Sequence, residues 1–128
     1  MIQEYKNILL RDLCARMPYE VKCKYYNVYE NCYEEGTVLG FERKEYIVID
    51  GRCVIAEEVR PYLFPLLIMT EEQRQELESL MEVTTVPVWG EILSPTPEYY
   101  DWLNVHHFDY RGLIEKSLAL DATGLNIY

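Results

Sequence analysis

Positive charge is scarce in this sequence. Lys and Arg number 12 against 22 Asp and Glu, so the 128 residues carry a formal charge of −10. That argues against broad, sequence-independent binding to DNA or to anionic lipid, both of which need an excess of cations. Long apolar runs are also missing. The longest, Tyr62 to Met69, is eight residues and contains Pro65, against the ~18 apolar residues of a membrane span. The opening MIQEYKNILLRDL has no basic stretch followed by a long apolar core, so no secretory signal is read, and a cytoplasmic protein with no membrane partner is expected. Cysteine is sparse and spaced unlike a metal knuckle. Cys14, Cys23, Cys32 and Cys53 lie 9, 9 and 21 positions apart, so no CxxC pair exists. Four reduced thiols are expected, with a zinc site or a Cys23–Cys32 bridge as the alternatives. The glycine-rich phosphate motifs, the GxSxG elbow and HExxH do not occur. No catalytic residue, metal or cofactor is therefore expected.

What is present is enough to fold. With 49% hydrophobic and 27% charged residues, the composition is that of an ordinary globular chain. A chain of this length can bury roughly two thirds of its unfolded surface without disulfides or metal. Residues 3–17 predict a helix, with Tyr5, Ile8, Leu9, Leu13 and Met17 as the apolar stripe. Lys6, Arg11, Asp12 and Arg16 fall mostly on the other side, and Pro18 disfavours helix at Met17. From residue 20 to 66, short β-branched and aromatic runs predict strands. VKCKYY alternates, with Val21, Cys23 and Tyr25 on one face. NVYENCYEEG (27–36) reads as a loop with some extended structure. TVLGFE (37–42) reads as a strand, then a charged turn at Arg43-Lys44. YIVID (46–50) and CVIA (53–56) read as strands joined by an Asp50-Gly51 type I′ turn. EEVRPYL (57–63) reads as a helical turn leading into a last extended segment. Five short strands predict a small SH3-like β-barrel, because closure removes the bare edges of a short meander.

The remainder is expected to be mainly helical. MTEEQRQELESLMEV (69–83) predicts a helix with Thr70 as N-cap and Gln73 completing a capping box. TTVPVWGEILSPTP (84–97) reads as a connector that could contribute an edge strand. Thr96-Pro97 predicts a new helix whose Tyr99, Trp102, Leu103 and His106 face inward. Asp109 is expected to cap a further helix over 110–118. The fold class is thus α+β, with a barrel (19–66) flanked by an N-terminal helix (1–18) and two or three helices in 67–128, all one domain.

The run DWLNVHHFDYRGLIEKSLALDA (101–122), the stretch VRPYLFPL…MTEEQ (59–73) and the early RDLCARM (11–17) carry a resemblance. In these residues and in the order of its parts, the chain resembles a family of small proteins encoded by bacteriophages and prophages of gut anaerobes. HFDYRGLI (107–114) is the most specific segment. The family pattern often closes in Gly-Leu-Ala, where this chain has Ser117 before Leu118. The resemblance implies a phage or mobile-element setting and carries over no catalytic residue.

Three groups of residues are candidates for chemistry or binding. Twelve Tyr stand against three Phe, and Tyr25, Tyr26, Tyr29 and Tyr33 crowd one region beside Lys22 and Lys24. Tyr joins large contact area to a polar tip and few torsions, which suits interfaces, and it also stacks on bases. Half-buried rings of a small barrel, a protein-binding groove and a nucleic-acid platform are the three readings, the last aided by a local +2 over residues 1–24. His106, His107 and Asp109 form the His-carboxylate cluster. Adjacent helical histidines point about 100° apart, so the expectation is a core His106, an exposed His107 and a capping Asp109. Asp109 and Arg111 are expected to fix a corner between helices. The glutamates of residues 71–82 read as a solvated face or, more sharply, as a DNA-mimicking surface. The expected function is a non-catalytic accessory protein that binds an unidentified host or phage protein through its tyrosines. The alternatives are nucleic-acid binding through Lys22 and Lys24, an acidic DNA mimic, and a small metal-dependent enzyme centred on His106.

Overall fold

The computed structural model describes residues 1–43 and 46–128. The expected turn at Arg43-Lys44 falls partly outside them. Helix α1 (Gln3–Arg16) forms as its periodicity predicts and passes into a short 3-10 turn, Met17–Tyr19, at Pro18. Its inward face differs from the expectation. Leu9 and Leu13 are fully buried, but so are Asp12 and Arg16, which the sequence placed with the solvated residues.

The strands follow. β1 (Lys22–Asn27) buries Cys23, Tyr25 and Asn27 on alternate positions, as its alternation dictates. β2 (Cys32–Glu42) is an eleven-residue strand, so most of the expected 27–36 loop is extended. Its first half pairs with β1 in a hairpin, with Tyr26 opposite Tyr33 and Asn27 opposite Cys32. The turn between them is held by the Asn27 side chain, which accepts from Tyr29 N and Glu30 N, the Asx pattern. The second half of β2 crosses a register shift between Val38 and Gly40 and pairs with β3 (Tyr46–Ile49). Asp50 and Gly51 take φ of 48° and 85°, the positive pair that a type I′ turn needs, and β4 (Arg52–Ile55) returns beside β3. After a helical turn at Ala56–Glu58, β5 (Val59–Pro65) pairs with β1. The path runs β4-β3-β2-β1-β5. Among the described residues no pairing joins β4 to β5, although β4 curls back to within 8 Å of β1 between Cα atoms.

The C-terminal third departs further from expectation. α2 (Glu71–Glu78) has the capping box, with Thr70 and Gln73 exchanging both bonds, but it stops eight residues on. Met81, Glu82 and Val83, expected in the helix, open β6 (Met81–Val86), which forms a separate two-stranded hairpin with β7 (Gly90–Pro95). α3 (Pro97–Val105) starts where expected, its Thr96 hydroxyl accepting from Tyr99 N. Residues 110–118 are turns, not a helix. β8 (Phe108–Asp109) and β9 (Leu120–Asp121) instead add to the free edge of β5 as parallel pairs. The Asp109 carboxylate does cap, accepting from Leu113 N at 3.0 Å and Ile114 N at 2.9 Å. Left-handed Gly112 and Ser117, at φ 72° and 59°, punctuate the turns. The fold class is α+β, built on a mixed sheet.

Two cores result. The larger joins α1 to the sheet through Leu9, Leu13, Val21, Ile47, Ile49, Val59 and Leu63. The smaller gathers Leu77, Trp102, Leu103 and Phe108.

Candidate functional site

The tyrosines divide according to strand alternation. Tyr25 points inward and is 3% exposed, its hydroxyl donating to Glu34 at 3.0 Å. It is core, not an offered ring, which corrects its place among the rim residues. Glu34 accepts from both Asn27 and Tyr25, and these bonds hold its carboxyl below the usual range. Tyr26 faces the other side, donates to Asn31 and meets Tyr33 edge-on at 5.2 Å between centroids. Tyr33 is 63% exposed, and Tyr29 and Val28 at the turn are 87% and 68% exposed. Lys24 Nζ stands 5.6 Å from the Tyr33 centroid, a cation over a ring face. Lys22 is committed locally, donating to Glu20 at 3.1 Å and Thr37 at 2.9 Å.

A groove of about 240 Å3 beside this turn is lined by Tyr25, Tyr26, Val28 and Tyr29. β4, from Arg52 to Ile55, lines it too, a strand that among the described residues pairs only with β3. Glu58 lines it as well. Beyond Lys24 and Tyr33 a second recess of about 210 Å3 is lined by Glu57, Glu58 and Arg60. Glu34 and Glu35 lie opposite Tyr25 and Lys24 on β2. Lys24 therefore works among carboxylates, which is a poor setting for a phosphate backbone.

The histidines depart from expectation at position 107. His107 is buried, at φ 61°, stacked on Tyr128 at 3.5 Å between centroids, and its Nδ1 has no hydrogen-bond partner among the described residues. Burial first, then the charge of Arg16 and His106, pushes its imidazole down to about 4. Tyr128 accepts from Lys22 N and donates to the Tyr62 carbonyl at 2.8 Å, which ties the C-terminus over β1 and β5. His106 is half-buried, stacked on Trp102 at 4.0 Å, with Nδ1 2.9 Å from the Trp102 carbonyl oxygen. The two imidazoles line a cleft of about 400 Å3 with Phe64 and Phe108, but the Asp109 carboxylate is committed to Leu113 and Ile114, so His106 has no carboxylate partner there. Among the described residues no three His, Cys, Asp or Glu side chains converge as a metal site would require.

The sequence also missed a buried ionic network. Asp12 accepts from Arg16 Nε at 2.8 Å through one oxygen and from Arg111 at 2.8 Å through the other. Arg16 donates again to the Phe108 carbonyl, and the Tyr110 ring lies against both guanidinium groups, at 5.2 and 4.5 Å. Tyr110 in turn donates to Asn104. The partner of Arg111 is thus Asp12, not Asp109. RDLCAR and HFDYR, read as separate motifs, are two halves of one clamp between α1 and the segment after α3. Their spacing along the chain gives no hint of it.

All four cysteines are free. Cys23 is buried and donates to the Gly36 carbonyl, and desolvation pushes its thiol up to about 12. Cys53 is exposed and donates to Glu42. The predicted acidic helix face over 71–82 is broken, since Glu82 lies on β6. No helix among the described residues is long and apolar enough to cross a membrane. Comparison of the chain with protein-family models, with curated proteins and with solved structures finds no match.

Proposed function

We propose that this chain is a non-catalytic interaction module, of phage or mobile-element setting, that binds another protein through the β1–β2 turn. The observation that carries this is the group of uncovered apolar side chains, Val28, Tyr29 and Tyr33, standing beside a groove lined by β4, which among the described residues has one unpaired edge. Rigid rings of this kind supply contact area at low entropic cost, and interface energy concentrates on a few such anchors. The barrel reading of residues 19–66 belongs with this proposal. Its support is the curl that brings β4 near β1.

Nucleic-acid binding through Lys22 and Lys24 has less support, because Lys22 is held by Glu20 and Thr37 and carboxylates surround Lys24. The test is affinity capture from a host lysate with the parent chain and with the Tyr26→Ala/Tyr29→Ala variant. The expected outcome is a specific partner that the variant no longer retains, with far-UV circular dichroism unchanged. Equal recovery by both chains would dismiss the rim.

A further inference from the structure

We propose that the cleft between α2, α3 and the β6–β7 hairpin is a second docking surface, separate from the tyrosine rim, that receives a basic amphipathic segment of a partner protein: an apolar stripe edged by Lys or Arg. The cleft is about 480 Å3 and is lined by Met69, Leu77, Met81, Leu93 and Tyr99, with one charge of each sign, Arg74 and Glu78. Two of the chain's four methionines face it, and Met adapts its shape to varied apolar guests.

The hairpin that forms one wall is unusually bare. Among the described residues β6 and β7 pair only with each other, a marginal arrangement in water. Val83 and Leu93, cross-strand partners on one face, are 55% and 62% exposed, and Trp89 at the turn is 78% exposed. Apolar surface of this kind, rimmed by charge, marks an interaction site.

Charge identifies the occupant. Residues 70–101 hold eight acidic residues and one basic, Arg74, a net −7 of the chain's −10. Within the cleft Glu78 and Arg74 offset each other, so the excess lies around it: Glu91 shares the Leu93 face of β7 by alternation, and Glu71 lies above Glu78 on the same helix face. Among the described residues no cation forms an ion pair with any of these carboxylates. A second copy of this chain would bring −7 against −7, and nucleic acid or anionic lipid would be repelled likewise. An apolar guest with a cationic border satisfies both features, in the helix-in-groove mode.

The experiment titrates the full chain with a synthetic Leu/Lys amphipathic helical peptide of about five turns and with a twin in which every Lys is Gln. Met methyl NMR reads the site. The expected result is movement of the Met69 and Met81 methyls, with Met1 and Met17 still. Binding should fall about tenfold or more from low to high salt, as exposed charges are screened, and the Gln twin should bind correspondingly weakly. Leu93→Asp, at an exposed position, should cost about tenfold although it adds negative charge. Tyr29→Ala should bind the peptide as the parent does, so this test stands apart from that of the rim. Equal binding of the Gln twin, undiminished binding by Leu93→Asp, movement confined to Met1 or Met17, or self-association through these methyls would each overturn the proposal.

Discussion

At the scale of single residues, polarity misled. Asp12 and Arg16 look like the solvated side of an amphipathic helix, since charged residues are rarely buried unless paired. Their partners Arg111 and Phe108 are some ninety to a hundred positions away, beyond the reach of local periodicity. Breaking such a network leaves an uncompensated buried charge. Asp12→Ala is expected to lower stability by about 3–5 kcal/mol in urea denaturation. Arg11→Ala, one position away and exposed, should stay within about 0.5 kcal/mol. His107 supplies a pH dependence. Its imidazole falls from 6.5 to about 4 on folding, so between those values the unfolded chain binds the extra proton. The stability that the neutral ring permits is complete above 6.5, declines as pH falls through the window, and levels off below about 4. His107→Asn, a residue that tolerates positive φ, should flatten that slope when denaturation midpoints are followed across the window.

At the scale of elements, the sequence is most legible where local chemistry decides the structure. The capping box at Thr70, the Thr96-Pro97 helix start, the Asp50-Gly51 turn and the alternation of β1 all read directly, because each is settled by neighbouring residues. Where one string satisfies two periods, tertiary context decides. LMEV continues the helical spacing of α2, yet Ser79-Leu80 ends the helix and Met81–Val86 pairs with a strand still to come. ENCYEEG shows no buried alternation because the first half of β2 is mostly solvent-facing. Gly36 in that strand marks a close approach. A Cβ there would stand 2.6 Å from Asp50 Oδ2 and 2.7 Å from Ile49 Cγ2, whereas at Gly40 it would meet nothing within 4 Å. Gly36→Ala is therefore expected to cost about 1–3 kcal/mol, while Gly40→Ala should be neutral or slightly stabilising. Paired thermal melts check both.

At the scale of the whole molecule, the buried clamp and the exposed surfaces do different work. Asp12, Arg16, Tyr110 and Arg111 fasten α1 to the last third of the chain, and Tyr128 ties the C-terminus back to β1 and β5. With those groups engaged internally, the tyrosine rim at one place and the acidic, apolar hairpin cleft at another are the surfaces proposed for binding. The rim was visible in the composition, as clustered tyrosine. The cleft was not, because its wall is a hairpin that reads as helix followed by connector. Amide hydrogen exchange on the chain bound to its captured partner tests the rim most directly. Slowed exchange over residues 26–33 and 52–55, with the amides of residues 107–111 unchanged, is the result this account predicts. Protection confined to the histidine cleft, with the tyrosine turn exchanging as in the free chain, would contradict it.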